Sequence, residues 1–254
     1  MALKWFGRRL WRFCGSAGSL RVATGGQPGD KPRPMGVLVK ICGINSVESG
    51  DAAIRAGADF AGLVFHAESR RNLTLEFARA LAEHLRGRVK LVALMADLGD
   101  EQIAAIVRAV RPDFLQLHGS ETPERIAALR ARFDTGILKS IPVAEAADLA
   151  DVARYEAVSD MLLFDAKAPR DAAVPGGHGA AFDWQLLRGR SFSKPWLLAG
   201  GLNPRNVARA IASSGAVGVD VSSGVETAPG IKSAELIRAF VEAARNPFHA
   251  EARA

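Results

Sequence analysis

Three polar side chains stand at the ends of short apolar runs, and their types suit proton transfer. Cys42 ends Val-Lys-Ile-Cys, Asp165 ends Leu-Leu-Phe-Asp, and His118 follows Leu-Gln-Leu. A thiolate or carboxylate can act as a general base, and a protonated carboxyl as a general acid. Taken alone, a cysteine in a strand is more often a small buried hydrophobe. His118 could donate to a ligand or cap a loop. Whether these side chains are catalytic or structural therefore depends on where the strands that they end place them.

Other residues after apolar runs suit the binding of anions. Arg70 and Arg71 follow the run that ends at Phe65, and an arginine can hold a carboxylate or phosphate through two hydrogen bonds. Such a pair is ordinarily solvated surface. Gly200-Gly201 and Ser222-Ser223-Gly224 follow two later runs and offer backbone N–H groups with little steric cover. Together the two turns indicate a phosphorylated substrate.

Eight apolar runs, rich in β-branched residues or leucine, predict eight strands. They recur at roughly the size of a βα unit. Because they are almost continuously apolar, we expect parallel strands covered by helices. The runs are Val37–Ile44, Phe60–Phe65, Val89–Met95, Phe114–His118, Gly136–Ile141, Met161–Asp165, Trp196–Ala199 and Val217–Val221.

Amphipathic segments between these runs predict helices. They include Ser46–Ala56, Leu75–Leu85, Glu101–Ala109, Pro123–Arg132, Asn203–Ser213 and Ser233–Ala244. Thr74 and Thr122 precede two of them as N-caps, the second followed by proline at the first helical position. Asn203 followed by Pro204 predicts a third cap of the same kind.

Eight βα units predict an α/β fold, a single (β/α)₈ TIM barrel. An open doubly wound sheet is the alternative, but Gly43 has no further glycines in register for a dinucleotide-binding loop. In a barrel the carboxyl ends of the strands line the active site. Cys42, His118 and Asp165 would then face one another, together with Asp220 near the end of the eighth strand.

The net charge of +6 is confined to the N-terminal segment. Residues 1–34 carry seven basic side chains and one acidic side chain, whereas the chain from Met35 onward has 26 of each. The barrel is therefore neutral, which argues against a nucleic-acid partner. No apolar run approaches the roughly 20 residues that span a bilayer, so no membrane association is expected for the barrel.

We divide the chain into a basic N-terminal extension (residues 1–35), a catalytic barrel (36–246) and a short tail (247–254). The extension has the composition of a disordered linker, and Met35 is an alternative start of translation. Residues 4–13 could instead form a basic amphipathic helix for targeting or a membrane surface. Cys14 and Cys42 are too few for a disulfide framework, which favours the cytoplasm.

The body resembles the phosphoribosylanthranilate isomerase family of tryptophan biosynthesis. The resemblance runs from Lys40 to about Lys232, essentially the whole barrel, and its motifs occur in order. They are Lys-Ile-Cys-Gly-Ile, Gly-Ala-Asp-Phe-Ala-Gly-Leu-Val-Phe, Leu-Gln-Leu-His-Gly-Ser-Glu, Leu-Leu-Phe-Asp-Ala-Lys, Gly-Gly-His-Gly-Ala-Ala-Phe-Asp-Trp, Leu-Ala-Gly-Gly-Leu-Asn-Pro-Arg-Asn-Val and Gly-Val-Asp-Val-Ser-Ser-Gly-Val-Glu.

The resemblance implies an Amadori rearrangement of N-(5-phosphoribosyl)anthranilate to 1-(2-carboxyphenylamino)-1-deoxyribulose 5-phosphate. It assigns the general base to Cys42, the general acid to Asp165 and the anthranilate carboxylate to Arg71, with Arg70 as the fallback. His118 and Asp220 are expected to bind the substrate, with Asp220 pointing into the site. The phosphate is expected at Gly200, Gly201, Ser222, Ser223 and Gly224. No metal or other cofactor is required.

The expected chemistry requires Cys42 as a thiolate, so the sequence reading predicts a lowered pKa of this thiol. His178 replaces a smaller polar residue of the family, and the long segment from Ala168 to Pro175 predicts a mobile lid. The histidine-pathway aminoaldose isomerase is a rival, although it uses aspartates where Cys42 stands. A non-catalytic phosphosugar-binding relative is another. Either a monomer or a homodimer is compatible with the family.

Overall fold

The structure is a computed structural model that describes residues 36–167 and 182–246. Eight parallel strands form a closed barrel in the order of the sequence, and helices cover its outside. The strands are β1 (Leu38–Cys42), β2 (Phe60–Phe65), β3 (Lys90–Met95), β4 (Phe114–Leu117), β5 (Gly136–Val143), β6 (Met161–Ala166), β7 (Trp196–Leu198) and β8 (Gly218–Val221). The predicted barrel is confirmed.

Seven α-helices lie among the described residues. They are α1 (Val47–Ala56), α2 (Leu75–Leu85), α3 (Asp100–Val110), α4 (Pro123–Arg132), α5 (Val152–Glu156), α6 (Val207–Ser214) and α7 (Ala234–Arg245). The predicted caps at Thr74 and Thr122 are confirmed, because each side chain accepts a hydrogen bond from the third backbone N–H of its helix. Each cap satisfies a donor that the helix itself cannot pair.

The predicted helix start at Asn203 is wrong. Asn203 accepts a hydrogen bond from the Arg205 N–H, and its own N–H donates to Asn206 Oδ1, so residues 203–206 form a turn. Helix α6 begins only at Val207. This turn shapes the loop after β7, where the phosphate site was expected.

Two further features were not foreseen from the sequence. In the described part of the connection between β6 and β7, residues 182–195, a short 3₁₀ helix spans Trp184–Leu187. After β8, a 3₁₀ turn at Ser223–Val225 leads into a small hairpin of β9 (Glu226–Ala228) and β10 (Ile231–Lys232). The hairpin places two charged side chains near the mouth of the barrel.

Alternation along the strands separates two buried cores. Val39 and Ile41 of β1 face the helices and join the large outer core, whereas Phe60 and Phe114 belong to a smaller cluster inside the barrel. The rings of Phe60 and Phe114 meet edge to face with centroids 5.9 Å apart. Lys40 and Cys42 alternate with the outward residues of β1 and therefore share the inner face of the barrel.

The remaining predictions lie outside the described residues. They concern the extension at 1–35, the lid and glycine-rich loop within 168–181, and the tail at 247–254. Across the described parts of the chain, the helices are all too short or too polar to traverse a lipid bilayer.

Candidate active site

The carboxyl ends of the strands bring the predicted residues to one mouth of the barrel. Around the barrel, β6, β7, β8, β1 and β2 are consecutive neighbours. Asp165 on β6 is therefore separated from Cys42 on β1 by the turns that follow β7 and β8. Arg71 follows β2, on the far side of Cys42. The arrangement places the residues predicted as acid and base on either side of the two turns predicted to bind phosphate.

Cys42 is the last residue of β1 and is 5% exposed. Its register partner on β2 is Gly62, whose carbonyl accepts hydrogen bonds from the N–H groups of Gly43 and Ile44. A β carbon on Gly62 would lie 3.1 Å from Cys42 Sγ and 3.2 Å from Lys40 Nζ. Glycine at this position therefore leaves room for both inward side chains.

The prediction of a lowered pKa at Cys42 is wrong. Burial raises the pKa of the thiol above its ordinary value, and the Asp220 carboxylate adds to the rise. The ammonium groups of Lys40 and Lys232 act in the opposite direction, because positive charge favours the thiolate. The position of Cys42 at a strand end predicts a reactive thiol, but burial has a larger effect on its pKa than the nearby cations have.

Lys40 and Asp220 form a buried ion pair beside Cys42. The two residues are register partners on β1 and β8, and Lys40 Nζ donates to Asp220 Oδ1 at 2.9 Å. Their side chains are 0% and 9% exposed. Burial lowers the pKa of Lys40, but Asp220 and Cys42 outweigh it and raise the pKa above the ordinary value. Lys40 is therefore an ammonium at neutral pH.

Arg71 lies over the end of β1, whereas Arg70 is exposed. A β carbon on Gly43 would come within 2.4 Å of Arg71 Cδ, so glycine there admits the arginine side chain. Arg71 donates through Nε and Nη2 to the two carboxylate oxygens of Glu226, at 2.7 and 2.8 Å. Such a bidentate pair fixes the plane of the guanidinium.

Glu226 also accepts a hydrogen bond from Lys232 Nζ at 2.7 Å, which places two cations on one buried carboxylate. Burial raises the pKa of Glu226, but Arg71, Lys232 and the Gly230 N–H lower it to about 2. Burial lowers the pKa of Lys232, against the effect of Glu226. Lys232 Nζ donates in addition to the Ser222 carbonyl at 3.0 Å. The hairpin is thereby tied to the end of β8.

Asp165 and His118 meet across the mouth of the barrel. His118 Nε2 lies 3.4 Å from Asp165 Oδ2, and the Ala166 N–H donates to Asp165 Oδ1 at 2.8 Å. Gln116 Nε2 lies 3.0 Å from His118 Nδ1. With the amide donating to Nδ1, the proton of a neutral imidazole is on Nε2 and points at Asp165. Gln116 Oε1 is buried and has no hydrogen-bond partner among the described residues.

The predicted phosphate turns lie in direct contact. Gly200 and Gly201 have positive φ angles of 87° and 63°, which only glycine adopts without strain. A β carbon on Gly224 would lie 1.9 Å from the Leu202 carbonyl oxygen, so the turn after β8 rests on the backbone of the turn after β7. Ser223 and Gly224 begin a 3₁₀ turn, where backbone N–H groups precede the first internal hydrogen bond.

The side chain of Ser222, which lies in one of the predicted phosphate turns, makes a hydrogen bond within the barrel instead. Ser222 Oγ donates to the Cys42 carbonyl at 3.2 Å and links the ends of β8 and β1. The turn after β7 is held by Asn206, whose Nδ2 donates to the Gly201 carbonyl at 2.9 Å. The turns at which the sequence predicts phosphate binding are thus held by side-chain hydrogen bonds and offer mainly backbone groups.

Sequence reasoning missed Lys40, Gln116, Glu226 and Lys232 as parts of the site. The signal for Lys40 was present, because it precedes Cys42 by two residues and shares its face of β1. Gln116 has the same relation to His118. Glu226 and Lys232 gave no such signal, because they reach the mouth only through a hairpin that was not anticipated.

A closed parallel barrel with a cysteine, a carboxylate and two glycine-rich turns at its carboxyl mouth is typical of TIM-barrel enzymes that act on phosphorylated substrates. The family model described as "N-(5'phosphoribosyl)anthranilate (PRA) isomerase" matches residues 39–243. The chain is 51% identical over 211 residues to the N-(5'-phosphoribosyl)anthranilate isomerase of Rhodopseudomonas palustris, covering 83% of this chain and 97% of that protein. It is also 51% identical to the Paramagnetospirillum magneticum enzyme of the same name, covering 83% and 98%. The chain therefore belongs to the phosphoribosylanthranilate isomerase family, as its motifs predict.

Solved structures agree with this assignment. The phosphoribosyl anthranilate isomerase of Thermotoga maritima superposes with a TM-score of 0.74 at 33% identity, covering 83% of this chain and 99% of that chain. Another structure of such an enzyme, in complex with reduced 1-(o-carboxyphenylamino)-1-deoxyribulose 5-phosphate, has a TM-score of 0.71 at 32% identity, with the same coverage. That complex concerns a family member with a product-like phosphosugar bound.

Proposed function

We propose that the chain converts N-(5'-phosphoribosyl)anthranilate into 1-(2-carboxyphenylamino)-1-deoxyribulose 5-phosphate in tryptophan biosynthesis, with Asp165 as general acid and Cys42 as general base. Membership in an isomerase family supports the reaction class. The observation that carries the assignment of residues is the order around the mouth. Acid, phosphate turns, base and arginine follow one another on β6, β7, β8, β1 and after β2.

Ring opening is the first step. Protonated Asp165 gives its proton to the furanose oxygen, the C1–O bond breaks, and the nitrogen lone pair forms an iminium ion. His118 stands beside this carboxyl at 3.4 Å and orients it toward the sugar. General acid catalysis of this kind contributes about 10² to 10⁴ in rate.

Proton abstraction is the second step. The iminium acidifies C2–H, and the Cys42 thiolate takes that proton as the electron pair moves into the C1–C2 bond. The resulting enolamine tautomerises to the ketone. Arg71 would hold the anthranilate carboxylate. The backbone of the turns at Gly200, Gly201, Ser222, Ser223 and Gly224 would hold the phosphate, and Asp220 would point into the site.

Anthranilate fluorescence, which reports consumption of phosphoribosylanthranilate, tests the proposal. We expect the wild type to turn over, and Cys42→Ser and Asp165→Asn each to lose about 10² or more in kcat/KM. Asp160→Asn is the matched control, because Asp160 accepts the Ile137 N–H at the opposite end of the barrel. Full turnover by both site variants would overturn the assigned roles, and no turnover by the wild type would overturn the function.

The assembly and location of the chain belong to the same proposal. We infer a monomer or homodimer, and light scattering of the purified chain decides between them. The support is one solved T. maritima relative described as dimeric, from which monomers were generated. A cytoplasmic enzyme is expected for amino-acid biosynthesis, and cell fractionation checks it.

A further inference from the structure

Lys40 occupies the inner face of β1 directly below the reacting thiol. Its side chain is fully buried, and its Nζ and the Cys42 Sγ lie within 3.2 Å of one point, the position of a β carbon on Gly62. The absence of a side chain at Gly62 is what admits both groups. A lysine of this kind is costly to bury, because desolvation penalises its charge.

A structural role alone does not account for this lysine. A buried ion pair is often replaceable by apolar side chains of similar volume without loss of stability. The interior of the barrel is filled by such side chains at Phe60, Phe114 and Leu163. Lys40 stands at the level of Phe60, one inward layer below Cys42, where the neighbouring interior is apolar, and this placement beside the thiol points to a role in the chemistry.

We propose that Lys40 takes part in the reaction: its ammonium, held in place by Asp220, stabilises the Cys42 thiolate that removes the substrate proton. The inference rests on the function proposed above for Cys42. As C2–H breaks, the proton passes to Sγ, the electron pair enters the C1–C2 bond, and the iminium π pair returns to nitrogen. Lys40 keeps its proton throughout and supplies charge rather than a proton.

The charges around the thiol are consistent with this role. Lys40 on β1, Arg71 after β2 and Lys232 on β10 are cations, and Asp220 on β8 and Glu226 on β9 are anions. Among the described residues, this cluster carries one net positive charge beside a neutral thiol. Ionisation of Cys42 makes the cluster neutral. Asp165 and His118 face the same mouth from β6 and the loop after β4.

Lys40→Met tests the proposal through the titration of Cys42. The probe is ¹³C NMR of the full chain labelled at cysteine Cβ, and the signal that disappears in Cys42→Ser identifies the residue. We expect the thiol pKa to rise by about one to three units, the effect of losing an opposite charge at close range. The acidic limb of kcat/KM against pH moves upward by the same amount.

Asp220→Asn is the variant that separates charge from structure. An asparagine oxygen still accepts from Lys40 Nζ, while the negative charge that opposes the thiolate is lost. The thiol pKa is therefore expected to fall, opposite to its rise in Lys40→Met. A general disruption of packing would not move the thiol pKa upward in one variant and downward in the other. If Lys40→Met does not fold, Lys40→Gln replaces it, because glutamine keeps a polar group near Asp220 without the charge; a rise of the thiol pKa then supports the proposal and an unchanged value overturns it.

Lys139→Met is the matched control. Lys139 is a second buried lysine, 3% exposed, that pairs with Glu121 Oε2 at 2.8 Å near the loop after β4. Its loss is expected to lower stability and leave the Cys42 titration in place. An unchanged Cys42 titration in folded Lys40→Met overturns the inference. Failure of the proposed function is seen separately, as absence of turnover by the wild type.

Discussion

Glu226→Gln tests how much the ion pairs of Glu226 with Arg71 and Lys232 stabilise the fold. Glu226 is 4% exposed and receives both Arg71 and Lys232. The substitution keeps the size of the side chain and removes its charge. Two cations are then left without a carboxylate at the mouth of the barrel, and a loss of stability follows because burial of an unpaired charge is costly.

The magnitude follows from the pKa of this carboxyl. In the folded chain the pKa is lowered from 4.5 to about 2, so the ionised form stabilises the fold by about 3 kcal/mol at neutral pH. A lowered pKa gives stability that is fully present above the unfolded value of 4.5. It is lost as the pH falls toward the folded value. By pH 3.5 the contribution has shrunk by about 1.4 kcal/mol.

Urea unfolding of wild type and Glu226→Gln at pH 7 and pH 3.5 measures this difference. We expect the variant to be less stable by up to about 3 kcal/mol at pH 7, with the gap narrowing at pH 3.5. Glu83→Gln is the control, because Glu83 is 55% exposed and pairs only on the surface with Arg79. A gap that is equally large at both pH values would refute the reasoning.

Two further substitutions address the loops and the acid. Gly224→Ala is expected to raise KM about tenfold or more, because a β carbon cannot fit 1.9 Å from the Leu202 oxygen. Gly99→Ala, whose β carbon meets its nearest neighbour at 3.6 Å, is the control, and an unchanged KM in Gly224→Ala would contradict the loop contact. Gln116→Leu is expected to leave stability nearly unchanged and to lower kcat/KM, because His118 loses the donor that fixes its tautomer. The ¹⁵N shifts of the His118 ring check this, and an unaltered Nε2–H tautomer would count against it.

The barrel was predictable because local pattern and global topology agree. Runs such as Phe60–Phe65 are buried on both faces, so their composition reports strands in a parallel sheet without reference to neighbours. Thr74 and Thr122 mark helix starts by a hydrogen bond that depends only on the next few residues. At Asn203 the same signal failed, because Asn203 Oδ1 accepts from the Arg205 N–H and the Asn203 N–H donates to Asn206 Oδ1, and these local hydrogen bonds form a turn in place of a first helical turn.

The site was predictable wherever a residue ends a strand. Cys42 stands at the last position of β1, and topology alone brings it to the mouth with Asp165 of β6. The thiol pKa was not predictable in this way. It is set by burial against the charges of Lys40, Asp220 and Lys232, which come from three elements. The distances from these charges to the thiol depend on the register of the strands and on the hairpin, and local composition predicts neither.

The positions of the cations explain why the site needs more than one. In the proposed complex Arg71 is occupied by the anthranilate carboxylate, in addition to Glu226. Lys232 is divided between Glu226 and the Ser222 carbonyl. Arg71 is then paired with two carboxylates when Cys42 must ionise, whereas Lys232 keeps the partners that it has in the free chain. Lys40 is 0% exposed and cannot reach a substrate carboxylate without leaving the barrel interior, so its charge remains with Cys42 in the bound state. Substrate binding therefore weakens the effect of Arg71 on the thiolate and makes it depend on Lys40 and Lys232.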